Sequence, residues 1–322
     1  YGELSPQVFG RSKGMGGAAY ALRDNSQVNG ANPASYTMVD SLTFLFDAGV
    51  SLQNVNISDG TTKQNAGNSS LDYVAMQFRL HPRLGMTVGL LPYSNVGYSF
   101  SRVDSSDPKN VNYQTYSGEG GFHQAFMGVG FKILKNLSVG MNASFLWGDI
   151  TRQDHTGFSE AGKYEITRVN NVSVKDIKFD LGVQYTQQIN EKNEVTVGAV
   201  FSPKRNLNAD AYSQTQTALS TGSGYSDYNI DKVDLDADYG IPMHIGVGAA
   251  YLYDKRLTVA ADYTLQKWSA VKYQDKNAFY DMHKVAVGLE YLPGFMGRSY
   301  FSHIKYRIGA YYSTPYYKVQ DQ

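Results

Sequence analysis

The chain has 322 residues, with 29 basic and 29 acidic side chains, 26 tyrosines, 32 glycines and no cysteine. The balanced charge argues against a nucleic-acid partner and against a strongly anionic one. Without cysteine, the chain can hold neither a disulfide scaffold nor a thiolate metal site.

The apolar residues are spread in a way that excludes membrane helices. No run of 18 or more apolar residues occurs, so the sequence predicts no transmembrane helix. The opening residues lack the basic start and apolar core of a signal peptide. We therefore expect a mature chain from which an export signal has been removed.

The first 40 residues differ from the rest of the chain. Residues 10–34 are rich in small and polar side chains, whereas a period-two pattern begins at Leu42. Alternation of this kind predicts β-strands whose two faces meet different surroundings. The pattern predicts eleven strands, near residues 42–54, 71–81, 84–102, 117–133, 136–151, 172–188, 194–204, 233–253, 256–274, 280–292 and 302–317.

The polarity of the strand faces favours a barrel over a soluble β-sandwich. From Leu137 to Trp147, one face carries large apolar residues, and the other carries only serine, glycine, asparagine and one leucine. A sandwich usually presents lysine, glutamate and threonine to water, whereas small polar residues suit a crowded lumen. The apolar faces end in tyrosine or tryptophan, as expected of aromatic girdles at a membrane interface. The fold class that we predict is all-β, a transmembrane antiparallel β-barrel.

The predicted connections alternate in length. Short turns are expected at residues 81–83, 135–136, 190–193 and 254–256, and long polar connections at 54–70, 104–117, 152–171 and 205–232. This asymmetry is typical of outer-membrane barrels, whose short turns face the periplasm. Single-chain bacterial barrels have even strand numbers, so the odd count predicts that roughly one to three further strands follow this sequence.

Four segments, spread over most of the chain, carry a resemblance to a known family. They are residues 14–24 (GMGGAAYALRD) followed by Asn32-Pro33-Ala34, residues 241–251 (IPMHIGVGAAY), residues 261–268 (ADYTLQKW) and residues 306–315 (YRIGAYYSTP). Together and in this order, they resemble the FadL-type long-chain fatty-acid transporters of the Gram-negative outer membrane.

The resemblance implies an architecture and a function. The expected fold is a 14-stranded barrel, about eleven strands of which are visible, with a hatch in its lumen and a kinked third strand. Residues 1–40 would then form the hatch, and residues 41–322 a barrel that is incomplete at its C-terminus. The implied function is passive uptake of hydrophobic small molecules such as fatty acids, through the hatch and a lateral opening at the third strand.

Two groups of residues are candidates for the ligand path. Asn32, Pro33 and Ala34 form either a gate beside the ligand or an ordinary turn that ends the hatch, since Asn-Pro is also a turn signal. In the third strand, Pro92 removes a ladder donor and Gly97 weakens pairing, so we expect a kink there. Unpaired wall is costly in a membrane unless it opens onto a cavity.

Charged residues fall on the faces assigned to the lumen, and two interpretations are open. Lys305 or Arg307 could bind the carboxylate head group of a ligand. The favoured interpretation is a network of ion pairs that ties the hatch to the wall, because both signs are present and buried charges need partners. The candidates are Arg79, Asp262, Lys305 and Arg307, together with Lys178, Asp180, Lys284 and Glu290.

Two functions therefore compete. A transporter predicts a continuous apolar cavity that reaches the wall near Pro92. The alternative is a non-transporting subunit of a larger outer-membrane secretion or assembly complex, because the family also includes a shuttle barrel of the type IX secretion system. This alternative predicts a salt-bridged lumen and protein partners. Outer-membrane lipid is expected in both cases, and no catalysis, metal or cofactor is expected from the scattered histidines.

Overall fold

The computed structural model describes residues 2–58, 60, 63–105, 111–221, 224–235, 239–272, 279–294 and 299–317. The chain opens with a segment that lies inside the barrel, and we call residues 2–43 the hatch. It contains the short strand β1 (Glu3–Leu4), the helix α1 (Gly10–Gly14) and a 3-10 helix (Pro33–Met38). No helix in the described ranges is long and apolar enough to cross a membrane.

The remainder is almost entirely β-strand, with two further 3-10 helices at Trp268–Ala270 and Tyr300–His303. The strands are β2 (Phe44–Ser58), β3 (Lys63–His81), β4 (Leu84–Asp104), β5 (Asn112–Lys132), β6 (Leu137–Phe158), β7 (Tyr164–Gln188), β8 (Asn193–Ser202), β9 (Arg205–Asn206), β10 (Ala209–Ser220), β11 (Tyr225–Leu235), β12 (Gly240–Ile241), β13 (His244–Tyr253), β14 (Leu257–Gln266), β15 (Met282–Tyr291) and β16 (Tyr306–Ser313).

Among the described residues, eleven strands form the wall of the barrel in the order β2-β3-β4-β5-β6-β7-β8-β13-β14-β15-β16. Neighbours are antiparallel, which confirms the predicted fold class and the eleven predicted strands. The 14-stranded sheet is completed by β1, β10 and β11. Within the described residues, β2 and β16 are not paired with each other. The expectation of further strands stays a prediction.

The wall is apolar outside and polar inside, the reverse of a soluble protein. In β15, Val287 is 48% exposed and Leu289 is 37% exposed, whereas Glu290 is buried. In β14, Tyr263 is exposed while the neighbouring Asp262 is buried. Lipid would cover the outward side chains, and the hatch covers the inward ones.

The apolar outward face covers only part of the long strands. In β7 it runs from Ile177 to Tyr185, which matches the roughly 9–11 residues with which a tilted strand crosses a bilayer. Farther along, the same face of β7 carries Lys175, Ser173 and Asn171. We call the apolar zone the belt. We call the polar part of the wall beyond it, on the side away from the short turns, the outer extension.

The four long connections that the sequence predicts contain β-strands instead. The chain turns near residues 82–83, 133–136, 189–192 and 254–256, as predicted, but the connections at 54–70, 104–117 and 152–171 are largely strand. The predicted connection at 205–232 contains the hairpin β10–β11. Beyond the belt the outward strand face is no longer apolar, so the apolar alternation weakens although the hydrogen-bonded ladder continues. Residues 59, 61–62 and 106–110 lie outside the described ranges.

Candidate ligand cavity in the lumen

The hatch is anchored to the wall around Asn32. The Asn32 side chain caps the 3-10 helix by accepting a hydrogen bond from the Ala34 amide (3.1 Å). Its amide group donates to the carbonyl of Tyr20 in the hatch (2.8 Å) and to that of Val183 in β7 (3.2 Å). Because Asn32 is fully buried, this amide joins two parts of the hatch to the wall.

Glycines in the wall let the hatch approach this closely. A Cβ atom on Gly182 of β7 would lie 2.1 Å from the side-chain oxygen of Asn32. A Cβ atom on Gly140 of β6 would lie 2.4 Å from the carbonyl carbon of Pro33. Any larger residue at these positions would push the 3-10 helix away from the wall.

Two neighbouring strands of the wall, β3 and β4, stop pairing beside Pro92. Pairing between β3 and β4 ends at Val74 and Leu90. On its other side β4 stays paired with β5, but Pro92 lies opposite His123 and Ser94 lies opposite Phe122, so Tyr93 is the extra residue of a β-bulge. Beyond Leu90, the edge of β4 that faces β3 therefore loses its neighbour in the wall.

The N-terminal segment covers part of this free edge. Glu3 and Leu4 of β1 pair antiparallel with Asn95 and Ser94 of β4. The Ser5 amide donates to the Tyr93 carbonyl at 3.0 Å. β1 of the hatch thus pairs with β4 in the region where β4 is no longer paired with β3.

A cavity of about 390 Å³ lies between the hatch and this part of the wall. Its apolar side is formed by Phe9 of the hatch and by Leu91, Tyr93 and Phe126 of β4 and β5. Leu91 and Tyr93 flank Pro92, so the cavity reaches the bulge. The volume falls in the range of about 300–1,000 Å³ that is usual for small-molecule sites.

The opposite side of the cavity is polar and internally hydrogen-bonded. Lys178 pairs with Asp180 at 2.9 Å, and Asp180 accepts a hydrogen bond from Ser202. The Tyr20 hydroxyl lies 3.1 Å from His244 Nε2 and 2.8 Å from the Thr264 hydroxyl. Burial raises the pKa of Tyr20. Tyr20 therefore stays neutral and packs over the polar side of the cavity.

Asp262 holds the hatch backbone. One of its carboxylate oxygens accepts hydrogen bonds from the amides of Ala19 (2.5 Å) and Tyr20 (2.8 Å). Two backbone donors on one oxygen fix the position of this buried carboxylate relative to the hatch. Asp262 lines the cavity and fixes the hatch loop across it.

An ionic network fixes the hatch to β15 and β16. The Arg11 guanidinium lies between Glu290 of β15 (2.8 Å) and Asp24 of the hatch (3.2 Å). Arg307 of β16 also contacts Glu290, at 2.6 Å, and Lys305 lies 3.6 Å from Asp24. Lys305 thus pairs with the hatch directly, whereas Arg307 pairs with the wall residue Glu290, which also holds Arg11 of the hatch. Neither residue lines the cavity.

Two charged groups of the hatch have shifted pKa values. Burial alone would raise the pKa of Asp24, but Arg11, the hydrogen bonds from Ser26 and the charge of Lys305 outweigh it and hold the pKa below its usual value. Burial lowers the pKa of Arg23, and Glu194 partly opposes this. Asp24 is thus a strongly anionic anchor in the hatch.

The other candidates lie apart from the cavity. Asn32, Pro33 and Ala34 form the first turn of the 3-10 helix, whereas the cavity is lined by Gly30 and Ala31. Arg79 bonds to Ser41 and to the Pro82 carbonyl at the β3–β4 turn. Gly97 lies opposite Glu119 in the outer extension. Pro92 accepts a hydrogen bond from Gln7, a cavity residue, at 3.2 Å.

An apolar cluster packs against the outer side of the cavity. It shares Tyr93 and Ile241 with the cavity lining, and Trp268, Phe122 and Leu146 are its most buried members. Trp268 stacks on Tyr316 with ring centroids 4.7 Å apart. Sequence reasoning missed this cluster and the pairing of β1, because both join parts of the chain that are far apart in sequence.

The family follows from a comparison of the whole chain. A family model described as BamG matches residues 1–322. The chain belongs to the BamG family. No curated protein matches it. The family name thus differs from that of the FadL-type proteins to which the segments above are similar, and the resemblance is confirmed at the level of the fold.

Solved structures support this BamG-family fold. The Ralstonia pickettii toluene transporter TbuX has a TM-score of 0.63 and 16% identity, over 96% of this chain and 87% of TbuX. The Pseudomonas putida toluene transporter TodX has a TM-score of 0.64 and 13% identity, over 98% of this chain and 84% of TodX. At such identities the likeness shows the fold alone.

Proposed function

We propose that this barrel lies in the Gram-negative outer membrane and admits small hydrophobic molecules by passive diffusion. The molecule would enter from the outer extension, occupy the lumen cavity and leave sideways into the bilayer beside Pro92. The observation that carries this proposal is that the cavity adjoins the place where β3 and β4 separate, through Leu91 and Tyr93. Such a separation in a membrane is tolerated where it lines a cavity.

The lining supports a compact apolar ligand. Phe9 and Phe126 supply aromatic surface, and Phe9 stacks on Tyr73 with ring centroids 4.1 Å apart. TbuX and TodX, which share this fold, are toluene transporters. A monoaromatic molecule would occupy the cavity with its ring against Phe126, whereas a long acyl chain would need the apolar cluster around Trp268 to open.

A pair of adjacent substitutions tests the proposal. Ser144 of β6 faces the cavity, and its neighbour Ala143 faces outward. Ser144→Phe should fill the cavity and lower toluene uptake by cells that carry the barrel, while Ala143→Phe should leave uptake unchanged. The measurement is the initial rate of labelled toluene uptake at equal surface amounts of each variant. Equal uptake by all variants and by cells without the barrel would refute transport.

The second candidate is a non-transporting barrel subunit of a larger outer-membrane assembly. The hatch favours it, because buried ion pairs and hydrogen bonds join the hatch to β6, β7, β14 and β15, and Met15 packs closely against Gly309 of β16. β1 also covers the free edge of β4. A hatch that never moves would make the barrel a scaffold, and purification in mild detergent should then recover a defined protein complex with no apolar molecule in the lumen.

A further inference from the structure

The hairpin β10–β11 ends the outer extension on one side of the barrel. β10 pairs with residues 164–174 of β7, and β11 pairs only with β10 within the described residues. The lower part of β7 is instead paired with β8, whose neighbour β13 lies within the belt. β11 therefore presents one complete, unpaired strand edge.

This edge lies in water. The outward face of β7 turns polar at Lys175, and β10 pairs with the part of β7 beyond that point. The outward face of the hairpin carries Tyr212, Gln214 and Lys232, with the Lys232 amine 4.1 Å from the centre of the Tyr212 ring. Contact with the hydrocarbon core of a membrane therefore cannot explain why apolar residues are exposed on β11.

Apolar residues are nevertheless exposed there. Ile230 is 64% exposed and Val233 is 52% exposed. They lie on opposite faces of a run of paired residues, from Asn229 to Leu235, that contains neither proline nor a bulge. Natural proteins usually shorten, bend or cover such edges, because an open edge is a template for another strand.

The charge of the edge is acidic. β11 contains three aspartates and one lysine. Asp227 accepts a hydrogen bond from the Tyr164 hydroxyl, and Lys232 is held over Tyr212. Asp231 and Asp234 are exposed and form no ion pair with any described residue. These two carboxylates favour a partner of opposite charge.

We propose that the free edge of β11 binds an extended basic segment of another protein, which adds to the sheet as an antiparallel strand. Strand addition satisfies the open backbone groups, and side chains set the specificity. Cross-strand neighbours of Ile230 and Val233 would be apolar, and those of Asp231 and Asp234 would be basic. Along the antiparallel partner, the expected pattern is basic, apolar, any residue, basic, apolar.

A designed peptide tests this pairing. The probe is a nine-residue peptide that repeats lysine, valine and threonine three times, and its match repeats glutamate, valine and threonine. Binding to the full chain in detergent micelles is measured by fluorescence anisotropy. The lysine peptide should bind and the glutamate peptide should not. Hydrogen exchange should slow in β11 when the lysine peptide is bound.

Charge reversal supplies the control. The double variant Asp231→Lys, Asp234→Lys should weaken the lysine peptide about fivefold to tenfold, as expected from two cross-strand pairs, and should make the glutamate peptide bind. Glu160→Lys, at an exposed site in the connection after β6, should change neither. Equal weakening by Glu160→Lys, or protection of amides elsewhere than β11, would overturn the proposal. So would a dimer of the chain that forms through β11 without peptide.

Discussion

Leu4 lies opposite Ser94 in an antiparallel bridge, four residues beyond Leu90, where the pairing of β4 with β3 ends. The N-terminal segment thus occupies the edge through which a ligand would have to pass. Either β1 detaches during transport, or the wall stays covered and the barrel is a scaffold.

A reversible crosslink should distinguish a detachable β1 from a fixed one. The chain has no cysteine, so Leu4→Cys with Ser94→Cys introduces a single pair. Oxidation should abolish toluene uptake if β1 must detach, and reduction should restore it. The check is the uptake rate before and after reductant, with each single-cysteine variant as control. Uptake that is unaffected by a complete crosslink would exclude a route beside β1.

The network around Glu290 should dominate the attachment of the hatch. Glu290→Gln leaves Arg11 and Arg307 without their shared carboxylate, in a site where the Glu290 side chain is 7% exposed. Removing one partner of a buried pair costs about 3–5 kcal/mol. The free energy of unfolding in urea measures the loss. Glu160→Gln removes an exposed pair with Lys163 and should cost less than about 1 kcal/mol. Equal losses would contradict a buried network.

Close approach at Gly182 should be necessary for hatch docking. In Gly182→Ala the new Cβ would lie 2.1 Å from the Asn32 oxygen, so the 3-10 helix must shift. Overpacking of this kind costs about 1–3 kcal/mol. We expect faster proteolysis within residues 25–40 on a time course. Gly67→Ala, whose Cβ would meet nothing within 4 Å, is the control. An unchanged cleavage rate would show that the hatch does not depend on this contact.

The depressed pKa of Asp24 predicts how pH affects the hatch. A carboxyl whose pKa is lower in the folded state stabilises that state fully above its unfolded pKa, and the stabilisation is lost as pH falls through the folded pKa. The hatch should therefore stay attached to the wall at pH 6. Its attachment should weaken below pH 3.8, the ordinary pKa of aspartate. The midpoint of unfolding by urea, measured at pH 6 and again below pH 3.8, tests this. Asp24→Asn should reduce the difference, and an undiminished difference would assign it to other groups.

The sequence predicts the wall well where two different media act on it. In β14, the outward Val259 and the inward Asp262 follow the same alternation that places one face against lipid. In the outer extension, Asn171 and Asn170 both meet polar surroundings, so residues 152–171 read as a loop. The alternation of apolar and polar residues thus shows where the two faces of a strand meet different surroundings. It does not show how far the hydrogen-bonded strand extends.

The sequence predicts the charges of the lumen but not their partners. Asp262 and Arg307 both fall on the inward face, as predicted. One binds hatch amides and the other binds Glu290, and only the path of the hatch decides this. The contact of Tyr20 with His244 has no local signal, because the two residues are separated by 224 positions.

Transport and assembly are distinguished most directly by mass spectrometry of the barrel purified in mild detergent, for bound small molecules and copurified proteins together. We expect an apolar molecule bound to the native chain, lost in Ser144→Phe and kept in Ala143→Phe. An empty lumen in a stoichiometric protein complex would contradict transport and identify the barrel as an assembly subunit.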